Sequence, residues 1–216
     1  MPRLYPENPQ VIPASPIVFP QQARADNGSK LLIMCGGGGR PSADLFFSLV
    51  NSSIPNIRTA IRHLDCTVVT GPYAKPIKFN DENTKVIPWS NNMLKLMREA
   101  TVIIGEAGYF SLHEIIANEK SAICVPGDRR MDNQELRATK FEELGMGFCI
   151  MPEEGEEKLT KKAIELFSDR TLRVKQQRLC REYTKKLLLQ KTIAERLLDE
   201  IISKKKSNAP FLEVSI

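Results

Sequence analysis

No apolar run in this chain of 216 residues approaches the roughly 20 that a membrane-spanning helix needs. The opening MPRLYPENPQVIP lacks both the basic start and the apolar centre of a secretory signal. A cytoplasmic location is therefore expected. Cysteine pairs are missing too: Cys35, Cys66, Cys124, Cys149 and Cys180 are odd in number, form no CxxC and show no metal-ligand spacing. Four of them sit in or beside apolar runs, which predicts buried thiols. Histidine is limited to His63 and His113, neither with a metal partner at helical spacing, so the sequence offers little for a metal centre or a catalytic imidazole. Aromatic residues are few, and they are not interleaved with basic ones, which argues against nucleic acid as a partner.

What remains is ordinary in composition and long enough to bury a core without staples. The net charge of +5 is concentrated between Arg170 and Lys206, ending in SKKKS. Two readings of that segment stand: a solvated basic helix face, or weak attraction to an acidic surface such as anionic lipid or a partner protein.

Residues 1–29 carry six prolines and little periodicity, and read as an extended arm or interdomain linker. From Lys30 the apolar runs LLIMC, CTVVT, TKVIP, TVIIG, SAICVP and GFCIM alternate with helical patterns near 42–63, 91–99, 109–118, 132–144 and 156–168. Strands joined by helices of this length imply right-handed crossovers and a parallel sheet. The expected fold is one doubly wound, Rossmann-like α/β domain over residues 30–170. Residues 171–216 are expected to form C-terminal helices and a basic tail, with an apolar face between Leu187 and Ile202 that either packs on its own sheet or awaits a partner.

In such a sheet ligands bind where strand carboxyl ends lead into helix N-termini. Two loops stand out. In CGGGGRPSADLFF, the glycines Gly36 to Gly39 leave room for positive φ and close backbone approach, either as a phosphate cradle or as a tight turn. They complete neither GxGxxG nor a P-loop. In GEAGYFSLHEIIANEKSAICVPGDRRMDNQELRA, Gly108 opens a helix, and Ser111 and Glu114 follow on neighbouring positions of one face. A hydroxyl and a carboxylate so placed suit one oxyanion and one diol. Pro126 and Gly127 then start a loop that leads to the polar DNQ.

The order of glycine-rich loop, AGxxSxxE and late NQ resembles the C-terminal, donor-binding half of GT-B glycosyltransferases, of the family-28-like UDP-GlcNAc type, over about residues 30–170. The resemblance implies that Gly37, Gly38 and Gly39 face the diphosphate and acceptor cleft, and that Gly108, Tyr109 and Ser111 hold the diphosphate. It implies that Glu114 accepts from the ribose hydroxyls, that Asn133 and Gln134 read the sugar, and that Trp89 beside Pro88 flanks the base. No cofactor or divalent metal is implied, because helix dipoles and backbone amides hold the leaving group. Three positions depart from the family pattern: Glu106, Phe110 and Thr101. An acid at 106 repels a diphosphate unless Arg40, Arg129 or Arg130 compensates it, and Arg40 is alternatively a direct contact to the diphosphate.

A GT-B enzyme closes two such domains around a cleft, and the second is not visible here. The chain is expected to be an excised half, a separate donor subunit needing an acceptor-domain protein or a second copy, or a degenerate relative. Transfer of a hexosyl group, GlcNAc-like, from a nucleotide-sugar to an acceptor hydroxyl is the leading expectation. A nucleotide-sugar hydrolase or epimerase, and a non-catalytic interaction module, are the alternatives.

Overall fold

Each apolar run expected to be a strand is one. The computed structural model describes residues 28–129, 132–189, 195, 198–199 and 201–203. The arm as far as residue 27, Arg130, Ile193, Leu197 and Lys204 to Lys206 lie outside the described residues. The strands are β1 (Lys30–Met34), β2 (Asp65–Val69), β3 (Lys85–Ile87), β4 (Val102–Gly105), β5 (Ser121–Cys124) and β6 (Phe148–Cys149). All their pairings are parallel, in the order β3-β2-β1-β4-β5-β6. The helices are α1 (Pro41–Ala60), α2 (Met93–Glu99), α3 (Tyr109–Ala117), α4 (Gln134–Glu143), α5 (Gly155–Ser168) and α6 (Arg170–Leu188).

Alternation along the central strand sorts the core into two layers. Leu31, Ile33 and Cys35 pack with Phe46, Val50, Ile54 and Ile57 of α1 and with Leu159, Ala163 and Leu166 of α5. Leu32 and Met34 face the other way, against Met97 of α2, Leu112, Ile115 and Ile116 of α3, and Ala138 and Phe141 of α4. A sheet buried on both faces needs continuous apolar strands, which is why β4 reads VIIG with every residue buried. Helix α1 starts on Pro41, whose missing N–H costs nothing at a first turn, and runs unbroken through Pro55 to Ala60.

All five cysteines are buried and free. Burial pushes the Cys66 and Cys180 thiols up to about 12 and Cys149 to about 11, so none is poised as a nucleophile.

Of the described residues, those as far as Thr184 form one compact unit and those from Lys185 on belong to another. Arg173 donates to the carbonyls of Leu166 and Phe167 at the end of α5. Further along α6, Cys180 joins the second layer, Arg181 pairs with Glu119, and Thr184 Oγ1 donates to the Ile116 carbonyl. In the other unit, residues 198–199 and 201–203 are helical.

Thr101, one of the departures from the family pattern, has a structural use. Its hydroxyl donates to the Gly28 carbonyl at 2.6 Å and accepts from Lys30 N at 3.3 Å, stapling the entries of β1 and β4. Because the side chain is buried, Thr101→Val leaves that carbonyl and amide unpaired at nearly constant shape. A loss of about 1–2 kcal/mol in unfolding free energy is expected by urea denaturation.

Candidate functional site

The strand order reverses between β1 and β4, and the two loops singled out in the sequence leave the sheet at those two strands. The glycine loop folds against a neighbour before any ligand enters. Tyr73 N, in the loop after β2, donates to the Gly37 carbonyl at 3.0 Å. Gly38 and Gly39 adopt φ of 67° and 69°, and a Cβ on them would fall 2.6 Å from the Thr70 carbonyl oxygen and 2.4 Å from that of Tyr73. Both therefore have to be glycine for the sake of the protein's own backbone. Gly36 is different: it is exposed, and a Cβ there meets nothing within 4 Å.

The β4 loop is a short turn in which Gly108 N donates to the Glu106 carbonyl at 2.8 Å. Helix α3 then begins with Gly108 as an N-cap that has no side-chain acceptor, so its first-turn amides are left for solvent or a ligand. Helix α1 also starts without a side-chain cap, after Arg40. On α3, Ser111 and Glu114 are half-buried, and Ser111 Oγ would lie 3.9 Å from a Cβ on Gly108. Desolvation raises the Glu114 carboxyl above the usual carboxylate range. His113 is buried with Nδ1 2.6 Å from the Tyr109 carbonyl oxygen, and burial lowers its pKa, so the ring is neutral and donates that hydrogen bond. It serves as a packing residue under the half-exposed Tyr109 ring, 4.6 Å away. Phe110, 66% exposed, meets Tyr109 edge-on at 5.4 Å.

From the far side the β5–α4 segment grips this turn residue by residue. Arg129 Nη2 pairs with Glu106 Oε2. Arg137 Nε donates to the Ala107 carbonyl at 2.9 Å, Nη2 pairs with Asp132, and the guanidinium lies 5.7 Å from the Tyr109 ring centroid. Gln134 Nε2 would be 3.9 Å from a Cβ on Gly108.

Gly108, Ser111 and Gln134 thus converge, with Glu114 one turn along α3. The glycine loop of β1 stands across the strand-order reversal from them. Trp89 does not join this group. It is 64% exposed and follows the edge strand β3, three strand positions from β4, or roughly 14 Å at the usual strand spacing. Asn133 and Gln134, expected to read a sugar, already have internal partners. Asn133 Oδ1 caps α4 by accepting from Leu136 N at 2.9 Å. Gln134 is 1% exposed; its Oε1 accepts from Gly127 N at 2.8 Å and its Nε2 donates to Asp132 at 3.4 Å.

The compensator of Glu106 is Arg129, and not Arg40, which is exposed on the approach to α1 and takes part through its carbonyl in starting that helix. Sequence reasoning missed Arg137, and it had Asp132 only as one of the polar DNQ residues, without its partner. Arg137 carried a signal, as a charged residue on the same helix face as the buried Ala138 and Phe141.

A parallel sheet in this order, with two uncapped helix starts at its reversal point, defines a Rossmann-type ligand-binding domain. Residues 31–193 match the family described as Glycosyltransferase family 28 C-terminal domain, and the chain belongs to that family. A UDP-N-acetylglucosamine--N-acetylmuramyl-(pentapeptide) pyrophosphoryl-undecaprenol N-acetylglucosamine transferase from Thermoanaerobacter sp. (strain X514) is 30% identical over 144 residues, covering 62% of this chain and 38% of the relative. The protein of the same name from Caldicellulosiruptor saccharolyticus is 24% identical over 180 residues, covering 76% of this chain and 49% of the relative. The chain therefore spans well under two thirds of these curated relatives. Among solved structures, Acinetobacter baumannii MurG superposes with a TM-score of 0.59 at 19% identity, over 84% of this chain and 51% of that one. The calicheamicin glycosyltransferase CalG4 gives 0.57 at 16% identity, over 88% and 45%. These likenesses establish the fold as that of GT-B glycosyltransferases.

Three of the four glycines are separable by experiment. Gly38→Ala and Gly39→Ala each force a side chain into the left-handed region against backbone, and a loss of about 2 kcal/mol or more is expected in thermal or urea unfolding. Gly36→Ala meets no neighbour, so the expected change in stability is within about 0.5 kcal/mol.

Proposed function

We propose that this chain is the donor-binding half of a GT-B glycosyltransferase that takes a UDP-sugar, of GlcNAc type, and delivers the hexosyl group to an acceptor hydroxyl. The observation that carries this reading is the uncapped start of α3 at the strand-order reversal, with Ser111 in its first turn and Glu114 one turn further on. The family membership and the activity for which the relatives are named support it.

In this reading the amides of Tyr109 and Phe110 with the Ser111 hydroxyl receive the diphosphate beside Gly108, whose own amide is held by the Glu106 carbonyl, and Glu114 accepts from the ribose diol. The donor is held without a resident metal ion, by backbone amides and the α3 dipole. These groups are fixed before the reaction, so they stabilise charge developing on the leaving diphosphate without reorganising. Gly36 forms the open part of the opposing wall. The acceptor side and the catalytic base come from a partner domain or subunit, and the assembly works at the cytoplasmic face of a membrane. No helix among the described residues is long and apolar enough to cross one.

Titration calorimetry with UDP and UDP-GlcNAc tests the reading. Binding of both is expected, with Glu114→Ala weakening each by roughly tenfold, the worth of a charge-assisted hydrogen bond. No heat at millimolar nucleotide would sink the proposal.

The same carboxylate supplies a pH test. It accepts from the diol only when ionised, and burial has raised its pKa. UDP affinity should therefore fall as pH is lowered through a range above that of an ordinary Glu, while Glu114→Gln, with no proton to gain, should lack that component of the pH profile.

A further inference from the structure

Three side chains at the carboxyl edge of the sheet keep buried polar atoms with no hydrogen-bond partner: Ser42 Oγ, Glu106 Oε1 and Arg129 Nε. They sit together. A Cβ on Gly127 would lie 2.9 Å from Glu106 Oε1 and 3.1 Å from Ser42 Oγ, while Arg129 Nη2 donates to Glu106 Oε2. The Glu106 side chain is 2% exposed and that of Arg129 is 17% exposed, so the carboxylate lies underneath and the guanidinium reaches solvent.

Burying such a pair gives back much of its Coulombic gain in desolvation, and the unpartnered atoms add to the cost. Two apolar side chains would fill the same space more cheaply. Position supplies the reason for keeping charges here. Glu106 is two residues ahead of the uncapped α3 start, and its carbonyl accepts from Gly108 N at 2.8 Å.

We propose that Arg129 is a binding residue for the donor's diphosphate, and that Glu106 is the positioning residue that holds its guanidinium at the mouth of the crevice; this rests on the donor-binding reading above. A guanidinium has five N–H donors in a planar fork. Glu106 takes one, which fixes the plane, and the exposed edge keeps donors for phosphoryl oxygens. The acid that by itself repels a diphosphate thus orients the cation that binds it. The tether also lowers the entropy that a free surface arginine loses on binding.

The alternative is that Arg129 does nothing but neutralise Glu106, and the two ideas predict opposite signs. The parent, Arg129→Ala, Glu106→Gln and the double variant are titrated by calorimetry with uridine, UDP and UDP-GlcNAc, with thermal melts to confirm folding. The expected result is that each single variant loses roughly tenfold or more in affinity for UDP and UDP-GlcNAc. Uridine binding is expected to stay unchanged, and the double variant to be as weak as Arg129→Ala.

Tighter or unchanged UDP binding by Glu106→Gln, with parental affinity regained in the double variant, overturns the proposal. A loss confined to UDP-GlcNAc puts Arg129 on the sugar and overturns it as well. Arg129→Lys keeps the ion pair and removes the fork, so it should weaken UDP binding; parental affinity in that variant counts against the proposal even if Arg129→Ala does not fold. A parent that binds no nucleotide fails the donor-binding reading itself, which is distinct from a parent that binds UDP alongside variants that match it.

Discussion

Arg137 is the group on which the crevice depends. Its guanidinium, 5% exposed, joins the Ala107 carbonyl of the β4 turn, the Asp132 carboxylate ahead of α4, and the face of Tyr109 at the start of α3. Three segments are thereby joined through a single planar cation, alongside the Arg129–Glu106 ion pair and the Gly127–Gln134 hydrogen bond. Removing it would take from the Ala107 carbonyl its side-chain donor and from Asp132 its cationic partner, the costly direction for a polar network. In the donor-binding reading proposed above the α3 amides must sit at set positions, and this contact helps to hold them there.

Electrostatics in the crevice are arranged so that local charges cancel before a ligand arrives. Glu106 is matched by Arg129 and Asp132 by Arg137, so the uncapped start of α3 can attract an anion without a nearby unpaired carboxylate from either residue opposing it. Neutral His113 adds no charge beneath it. The glycine loop contributes shape. Gly38 and Gly39 let the β1 and β2 loops touch backbone to backbone, Gly37 lies against the Tyr73 ring, and Gly36 alone of the four meets nothing on the exposed side. A cluster that reads as four equivalent glycines is two residues required by backbone contact, one in contact with a side chain and one that lines free space.

The layered sheet was legible because its signal is periodic and local. Runs such as LLIMC and TVIIG are too apolar for a one-sided sheet, and the segments between them repeat at helical spacing, so the six strands, the helices that join them and the parallel pairing all followed. Buried thiols followed from the same runs. The α3 site was legible in part, since Ser111 and Glu114 stand three residues apart and any helix places such a pair side by side. Asn133 and Gln134 were legible only as polar residues near the right edge. Their occupation by Leu136 N, Gly127 N and Asp132 depends on how the β5 loop turns, which no local pattern records.

By itself, then, the sequence determined the architecture, the two loops at its carboxyl edge and the polar residues available there, because hydrophobic periodicity and glycine placement act over a few neighbouring residues. Only the tertiary structure decided which arginine meets Glu106, what the glycines approach, and which polar atoms remain unsatisfied. Glu106 and Arg129 are 23 residues apart in the chain. They meet because β4 and β5 run side by side with Gly105 level with Cys124, so the residues that follow each strand emerge over the same edge. Charge selects among partners only after strand pairing has brought them within reach, and Arg40, equally cationic, leaves the sheet along α1 instead.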